Sequence, residues 1–427
     1  MIIMNNINKS LDSTGSVSSV KKLAIVGSGI SAMTVAYYLR EKYEISIFDK
    51  NDYLGGHTHT HKISEAGKDF TIDTGFIVFN EATYPNLLKL FTELGVEARK
   101  SDMSFAVSNL NTGLEYAGTS LKTLFAQKKN IVSIKYWKFL FDIKKFFKNA
   151  LRDYDSLSDS NESIEDYCKR IGLSRFFLDN YLAPMSAAVW SVPQREVGGF
   201  PIALLIPFFY NHGLLSMDGQ HQWYTVKGGS NTYIKKILEK GNFDIHLNEK
   251  VKQASDDEGR VVLKTEKSEY IFDKVVLASH SDESLLIADN LEDRKKELLS
   301  KFEYNKNIAV LHSDERLMPK CRNVWSAWNQ VIKEKASTLY WVNKLQDIPV
   351  KKNYFISINP FREIDENKIL KKIEYYHPHF TVENFALQEK LSELNKNTNI
   401  FFAGAYFKYG FHEDGHVSGL EVVKLLS

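Results

Sequence analysis

Near the start of the chain, short apolar runs flank a longer segment whose apolar residues recur at helical spacing. The runs KLAIVG (22–27) and EISIFDK (44–50) have the length and composition of buried strands. Between them, residues 28–43 carry apolar side chains three and four positions apart. This order predicts a strand, a helix and a second strand, which is the unit that builds parallel sheets. We therefore expect an α/β fold.

The turn between the first strand and the helix carries the glycine pattern of a dinucleotide-binding site. It reads GSGISA, with Gly27, Gly29 and Ala32 at the fingerprint positions. The first glycine permits a tight turn, the second lets the backbone approach a pyrophosphate, and the small third residue lets the helix pack closely on the strand. Asp49 ends the second strand, where a carboxylate can accept hydrogen bonds from a ribose. These residues predict dinucleotide binding with the pyrophosphate at a helix N-terminus.

Further glycine-containing segments distinguish between dinucleotides. Gly55 and Gly56 follow the acidic strand end, and Asp73-Thr74-Gly75 follows a later strand pattern. A cofactor that extends beyond its pyrophosphate needs such additional close approaches of the backbone. Together with the fingerprint, these segments resemble the flavin-containing amine oxidase superfamily. The resemblance implies FAD as the cofactor, and an α/β fold in which a Rossmann-like FAD-binding domain is interleaved with a mixed α+β substrate domain.

The C-terminal part of the chain carries the other half of this resemblance. Residues 400–420 have the pattern of a strand, a loop and a helix, and in the superfamily this segment aims a helix N-terminus at the flavin. The strings LGGHTHT, DTGFIVFNEATYPN and AGAYFKYGFHEDGH resemble a bacterial subgroup of predicted NAD/FAD-binding oxidoreductases. Members are often encoded beside cyclopropane-fatty-acid-synthase-like methyltransferases, and some relatives are implicated in redox modification of fatty acyl chains. That association implies an apolar small-molecule or lipid substrate and a fatty-acid methyltransferase partner.

The resemblance, carried over motif by motif, gives the expected site residues. The cofactor-binding positions are Gly27, Gly29, Ile30, Ser31, Ala32, Asp49, Lys50, Gly55, Gly56, His57, Thr58, Thr74, Gly75, Val251, Ala278, Gly404, Ala405, Gly415, Val417 and Gly419. His412 and Glu413 are the candidate catalytic residues, because either could shuttle a proton during hydride transfer. The alternative is that both bind the ribityl chain or cap the helix. Tyr406 and Tyr409 are expected to be pocket walls, and Lys306 is a candidate for the superfamily's activating lysine.

The histidines and cysteines do not predict a metal site. His57 stands where much of the superfamily has an arginine, so a fixed charge becomes a titratable one. His57, His59 and His61 alternate and would lie on one side of an extended segment, but no nearby cysteine or carboxylate completes a ligand set. Cys168 and Cys321 are far apart in the sequence and predict neither a disulfide nor a zinc site. We expect the three histidines to pack against the cofactor or to be structural.

Length and composition set the organisation of the chain. Its 427 residues suggest two domains, and 43% hydrophobic and 25% charged residues exclude wholesale disorder. A net charge of +2 gives no general attraction to nucleic acid, and we expect no such partner. Residues 1–20 lack the pattern of a signal peptide and are expected to be a flexible leader of a cytoplasmic protein. The expected FAD-binding domain comprises 21–80, 220–285 and 395–427, and the substrate domain comprises 81–219 and 286–394.

Residues 131–148 predict a basic amphipathic helix. A helical projection places Lys135, Lys138 and Lys145 on one side, and Trp137, Leu140, Ile143 and Phe147 across from them. Such a helix either lies at a membrane interface or packs on the core with a solvated basic face. The apolar stretch 205–215 is too short to span a bilayer. Together the two segments predict an apolar opening and peripheral contact with the inner face of the membrane.

These observations predict an FAD-dependent oxidoreductase. We expect two electrons to pass between the flavin and a carbon centre of an apolar substrate, with a fatty acyl chain as the leading candidate. Desaturation and saturation are both open. One alternative is an amine or amino-acid-type oxidase, as the superfamily implies, although no amine-binding motif is evident. The other is a flavin-bound partner protein of a lipid methyltransferase.

Overall fold

The structure of the protein, a computed structural model, describes residues 20–65, 67–157, 160–190, 194–215, 221–333 and 336–427. The predicted leader, except residue 20, and the first residue of the segment 220–285 lie outside these ranges. The strands are β1 (Lys21–Val26), β2 (Tyr43–Phe48), β3 (Thr60–Glu65), β4 (Lys68–Asp73), β5 (Phe79–Asn80), β6 (Ala98–Ser101), β7 (Phe105–Asn109), β8 (Leu114–Ala117), β9 (Trp223–Val226), β10 (Phe243–His246), β11 (Val251–Asp257), β12 (Arg260–Thr265), β13 (Glu269–Phe272), β14 (Lys274–Leu277), β15 (Tyr304–His312), β16 (Trp328–Ile332), β17 (Ala336–Trp341), β18 (Phe355–Ile358), β19 (Ile369–Pro378) and β20 (Ile400–Phe402). The helices are α1 (Ile30–Leu39), α2 (Pro85–Leu94), α3 (Leu121–Leu124), α4 (Ile134–Asp153), α5 (Ile164–Arg170), α6 (Arg175–Phe177), α7 (Ala183–Trp190), α8 (Ile202–Asn211), α9 (Asn231–Lys240), α10 (Ser281–Ile287), α11 (Asp293–Ser300), α12 (Val342–Leu345), α13 (Val382–Ala386) and α14 (His412–Leu426).

A five-stranded parallel sheet holds the predicted strand-helix-strand unit. Its order is β10-β2-β1-β14-β20, so the chain returns to this sheet three times after β2. The last four residues of β1 and of β2 are buried, as expected for strands covered on both faces. One hydrophobic core joins these strands to α1, α2, α9 and α14. Because the strands on either side of β1 are reached by different connections, the crevice at its carboxyl end is a place where such sheets bind ligands.

A second, mixed sheet has seven strands in the order β19-β15-β18-β17-β16-β7-β8. The pairing of β16 with β7 is parallel, and the other pairings in this sheet are antiparallel. Helices α4 to α8 contribute the largest hydrophobic core together with residues of β7 and β8. A parallel sheet with a separate mixed sheet and helical layer confirms the predicted α/β fold class. No helix among the described residues is both long enough and apolar enough to cross a membrane.

The first and last helices, α1 and α14, cross in close contact. A Cβ atom built on Gly419 would lie 2.7 Å from the backbone oxygen of Ser31, and one built on Gly415 would also meet α1. A hydrogen bond of 2.7 Å joins Thr34 Oγ1 to His416 Nδ1 across the same contact, which is buried. Because α1 follows β1 and α14 follows β20 in one parallel sheet, both helices begin at the same edge of that sheet.

The contact makes Gly419→Ala a sharp test of the packing. Alanine has the higher helix propensity, by about 1 kcal/mol, and would stabilise an unobstructed helix. We expect the free energy of unfolding to fall by about 1–3 kcal/mol instead, because the added methyl group meets backbone that cannot move aside. Urea unfolding measures the change. Gly118→Ala is the control, since a Cβ there has no neighbour within 4 Å in the part of the chain that the structure describes; an equal loss in both variants would contradict the packing.

Candidate functional site

A cavity of about 1720 Å³ extends from the carboxyl ends of β1 and β2 into the helical layer of α4, α7 and α8. Pockets for one small molecule usually measure about 300–1,000 Å³, so this cavity has room for two ligands. Its first end is lined by the glycine turns that follow β1 and β2. Its other end is lined mainly by apolar and aromatic side chains, among them Trp137, Leu140, Phe147, Tyr181, Met185, Val189 and Phe208.

Two glycine turns form an open cradle at the first end. Gly27 has a φ of +98°, and a Cβ on it would lie 2.7 Å from the backbone oxygen of Ala278, so only glycine fits. A Cβ on Gly29, in contrast, would meet nothing within 4 Å. A Cβ on Gly56 would lie 3.2 Å from the Gly29 Cα atom, so the second turn lies against the first. With the unbonded amides of the first turn of α1, this empty space suits a pyrophosphate.

A chain of hydrogen bonds fixes the two turns relative to each other. The Ser28 hydroxyl donates to Asp49 Oδ2 at 2.5 Å, and the Gly55 amide donates to the Ser28 Oγ at 3.1 Å. The backbone and side-chain nitrogens of Asn51 donate to Asp49 Oδ1 at 2.9 and 3.0 Å. Burial raises the pKa of Asp49, while these hydrogen bonds oppose that rise. Asp49 lines the cavity beside Lys50, which forms an ion pair with Glu283 on α10.

His57 presents an unsatisfied polar atom at the cavity. Its Nε2 atom is buried and has no hydrogen-bond partner among the described residues. The ring stacks on Tyr375, with centroids 5.0 Å apart, and lies 5.2 Å from the ring of His377. Burial, followed by the nearby His377, lowers the pKa of His57 well below its usual range, so the ring is neutral at pH 7. A buried polar atom without a partner is costly unless a ligand satisfies it, and FAD fits this requirement.

The Asp73-Thr74-Gly75 turn is held against the same wall. A Cβ on Gly75 would lie 2.1 Å from the backbone oxygen of His57, so the two segments touch through their backbones. Thr74 Oγ1 is hydrogen-bonded to Tyr375 Oη at 2.8 Å and to His61 Nε2 at 3.0 Å. Asp73 is buried behind the turn and accepts a 2.9 Å hydrogen bond from the Ser230 amide. Within the described part of the chain, no three His, Cys, Asp or Glu residues are grouped as metal ligands.

The N-terminus of α14 continues this wall. His412, the first residue of this helix, lines the cavity and stacks face to face on Phe76, with ring centroids 3.8 Å apart. Its Nε2 atom is hydrogen-bonded to Tyr233 Oη at 2.8 Å and to Thr58 Oγ1 at 3.3 Å. Burial lowers the pKa of His412 to about 3. The ring is therefore a neutral hydrogen-bonding group held from two sides.

Glu413 does not line the cavity. Its carboxylate accepts hydrogen bonds from the backbone and side-chain nitrogens of Asn86, at 3.0 and 2.8 Å, and from the Leu87 amide at 2.9 Å. These are unsatisfied groups at the start of α2, where a negative charge is favourable. The geometry therefore fits helix capping, although the helix is α2 and not the one in which Glu413 lies. A proton shuttle at Glu413 has no support from this placement.

The structure divides the predicted cofactor-binding residues into two groups. Those that line the cavity are Gly27, Gly29, Ile30, Ser31, Asp49, Lys50, Gly56, His57, Thr74, Gly75, Val251, Ala278, Gly404 and Ala405. Those that do not are Ala32, Gly55, Thr58, Gly415, Val417 and Gly419. In the second group, Gly415 and Gly419 contact α1. Gly55 is hydrogen-bonded to Ser28, and Thr58 is hydrogen-bonded to His412. These four residues hold the walls of the cavity in place.

Three other predictions meet the geometry differently. Tyr406 and Tyr409 line the cavity, as expected of pocket walls. Lys306 is half-exposed on β15, pairs with Glu374 at 2.6 Å and does not line the cavity, so its placement gives no support to an activating role. The four apolar residues predicted across from the lysines, Trp137, Leu140, Ile143 and Phe147, all line the cavity. Trp137 is also 44% exposed, because α4 has a core face, a cavity face and a solvent face.

Sequence reasoning missed several residues around the cavity. Tyr375 and His377 lie two residues apart on β19 and both line the cavity. Tyr376 lies between them, so no alternating pattern in the sequence singled them out. Phe76 follows the Asp-Thr-Gly turn directly, and Tyr233 belongs to α9, the helix that follows Gly228 and Gly229. His280 lines the cavity with its ring stacked on Tyr304 at 4.2 Å; no local motif indicated it.

Comparison with known proteins agrees with this geometry. The profile of the family described as flavin-containing amine oxidoreductase matches residues 28–327. The chain therefore belongs to the flavin-containing amine oxidoreductase family. Membership of this family agrees with the FAD-dependent oxidoreductase that the motifs predict.

Individual relatives are more distant. The chain is 34% identical over 83 residues to the 1-hydroxycarotenoid 3,4-desaturase of Flavobacterium sp. (strain P99-3), which is 18% of this chain and 16% of that protein. It is 24% identical over 308 residues to the farnesylcysteine lyase of Arabidopsis thaliana, covering 64% and 60%. The chain thus spans less than two thirds of either relative. The crystal structure of a CLA-producing fatty acid isomerase from P. acnes superposes with a TM-score of 0.67 and 14% identity, covering 96% and 99% of the two chains, and shows the common fold.

The buried histidines make stability depend on pH. Burial lowers the pKa of His377 to about 4 from 6.5, so between these values the unfolded chain binds a proton that the folded chain does not. The free energy of unfolding therefore falls as the pH decreases from 6.5 towards 4. In the cofactor-free protein, the free energy of unfolding falls between pH 7.5 and pH 5. His377→Asn is expected to make this fall smaller by on the order of 1–3 kcal/mol. Urea midpoints at pH 7.5 and pH 5 measure it; an unchanged difference between the two midpoints would contradict the burial of this ring.

Proposed function

We propose that this enzyme transfers two electrons between FAD and a carbon centre of a fatty acyl chain. The observation that carries the proposal is the single cavity that joins the glycine cradle to a large apolar chamber. A fatty acyl chain offers no hydrogen-bonding groups along most of its length, so it is bound by apolar burial and not by polar contacts. Desaturation and saturation are both consistent with such a chamber. In this proposal, the FAD-binding domain comprises 21–80, 220–285 and 395–427, and the substrate domain comprises 81–219 and 286–394.

The residues of the cradle would hold the cofactor. Gly29 and Gly56 leave space for the pyrophosphate, Asp49 is available to a ribose, and Val251 lies on the wall beyond it. The Nε2 atom of His57, which has no partner among the described residues, offers a hydrogen bond to the bound molecule. FAD, when bound, supplies the two-electron chemistry. The protein supplies orientation and a chamber that excludes water.

His412 is proposed to act on the reacting region through hydrogen bonding. A pKa of about 3 makes it a poor base at neutral pH, so proton uptake is not its best role. Its Nε2 atom is already bonded to Tyr233 and Thr58, which fix the orientation of the ring. The stacked Phe76 covers one face of that ring. Glu413 is proposed to be structural, because it caps α2.

The names of two similar proteins support an apolar substrate. The names of the desaturase and the fatty acid isomerase refer to a carotenoid and a fatty acid. The family name also includes amines, and amine oxidation is therefore the alternative outcome of the test below. A lipid methyltransferase as partner remains a prediction from the resemblance, as does peripheral contact with the inner face of the membrane.

The test of function is the visible spectrum of the FAD-loaded protein under anaerobic conditions. Detergent-dispersed saturated acyl lipids, an amine panel and NAD(P)H are added in separate cuvettes, and dithionite-reduced protein is mixed with unsaturated acyl lipids. We expect either bleaching by saturated lipids, which indicates desaturation, or reoxidation by unsaturated lipids, which indicates saturation. Bleaching by amines alone would contradict the proposal and favour an oxidase. A stable flavin spectrum in every cuvette would favour a flavin-bound partner protein.

The glycine cradle generates a second prediction. The Cβ atom of a Gly29→Val side chain would have no neighbour within 4 Å among the described residues, so we expect the variant to fold with at most a small loss of stability, from the poorer N-cap of α1. The same side chain fills the space proposed for the pyrophosphate, and FAD affinity is expected to fall by roughly 100-fold or more, equal to about 2.7 kcal/mol. Flavin fluorescence titration measures the affinity. Gly27→Val is the contrasting variant, because its Cβ meets Ala278 and should lower the stability itself. Normal FAD affinity in Gly29→Val would place the pyrophosphate elsewhere.

A further inference from the structure

Large apolar side chains are exposed together on one part of the helical layer. We name this set the docking face; its members, with their exposed fractions, are Leu121 (76%), Ile131 (51%), Val132 (85%), Ile134 (87%), Trp137 (44%) and Phe141 (66%). Ile134, Trp137 and Phe141 follow one another at helical spacing on α4. The Trp137 indole donates a 2.8 Å hydrogen bond to the Ile131 carbonyl, so the preceding turn folds back onto the same surface. Single exposed apolar residues are ordinary, but a contiguous group marks an interaction surface.

Positive charge surrounds the docking face. Between residues 121 and 148 the chain has eight lysines and one acidic residue, in a protein whose net charge is only +2. That acidic residue, Asp142, is buried and accepts hydrogen bonds from Ser174. None of the eight lysines forms an ion pair with a carboxylate of the described residues. The surface therefore combines exposed apolar and aromatic side chains with uncompensated positive charge.

The apolar chamber opens at this surface. Four residues line the cavity and are also exposed to solvent: Leu121, Trp137, Phe141 and Lys144. Deeper in the cavity, Leu140 and Phe147 continue the wall from the same helix. An acyl chain that enters here meets apolar side chains from the opening inwards, while the lysine lies at the rim.

We propose that the docking face binds the surface of an anionic lipid bilayer, so that an acyl chain can enter the chamber from the bilayer. A basic helix with exposed aromatic residues has the composition of helices that lie in the bilayer interface. Lysine is depleted at the cores of protein–protein interfaces, which disfavours a protein as the partner for this lysine-rich surface. The use of the opening by a substrate rests on the proposed function; binding to lipid does not.

The test is sedimentation of the FAD-loaded protein with vesicles of phosphatidylcholine, alone or mixed with phosphatidylglycerol. We expect binding to the mixed vesicles that weakens as salt is added, since the lysines act through screened charge. The double variant Val132→Glu/Ile134→Glu should lower the partition coefficient by roughly tenfold or more. Both residues are highly exposed and neither lines the cavity, so the flavin spectrum should not change.

A matched control separates position from composition. Ile271→Glu/Leu425→Glu changes two apolar residues of 54% and 57% exposure elsewhere on the surface, and should leave vesicle binding within twofold of the original. Quenching of tryptophan fluorescence by brominated lipids, diminished in Trp137→Phe, would place α4 at the bilayer. Absence of vesicle binding, or an equal loss in both double variants, would overturn the proposal. So would a protein dimer that the first double variant dissociates without any effect of lipid.

The two proposals fail separately. If vesicle binding is absent but detergent-dispersed acyl lipids still bleach the flavin, the docking face is refuted and the proposed function stands. If the protein binds vesicles but no acyl lipid changes the flavin spectrum, the proposed function is refuted and the docking face stands.

Discussion

The close contact between α1 and α14 is the constraint on which the site depends. These helices lie at opposite ends of the described chain, and each follows a strand of one parallel sheet. Gly415 and Gly419 let α14 approach the backbone of α1, and the buried pair of Thr34 and His416 fixes the contact. Because both helices begin at the same sheet edge, the glycine cradle and His412 face one cavity. Neither end of the chain forms the site without the other.

The cavity combines two environments. Its first end is polar, with backbone amides, Asp49 and the His57 Nε2 atom, and these suit a phosphate-containing cofactor. Its second end has aromatic and aliphatic walls from the helical layer. The histidines between the two ends, His57 among them, are kept neutral by burial. An uncharged acyl chain can lie beside these histidines, because a neutral ring carries no charge that needs a partner.

The features that the sequence revealed were local ones. The turn with Gly27 and Gly29 is encoded within a few residues, because only a particular backbone conformation and open space are required there. The role of Glu413 could not be predicted, because its partner Asn86 is more than three hundred residues away in the sequence. The exposure of Trp137 on α4 could not be predicted from a projection of 131–148, because this helix also borders a cavity that only the folded chain creates. Tyr375 and His377 belong to the other sheet, and no motif linked them to the glycine turns.

Amide hydrogen exchange with and without FAD tests most directly whether the two helix N-termini form one cofactor site. We predict that FAD slows exchange in both 27–31 and 404–412, two segments that are far apart in sequence and contribute residues to the same cavity. Residues of β12 and β13, which lie outside the cavity, should exchange at the same rate in both states. Protection confined to 27–31 and its neighbours in sequence, with 404–412 unchanged, would contradict the joint site.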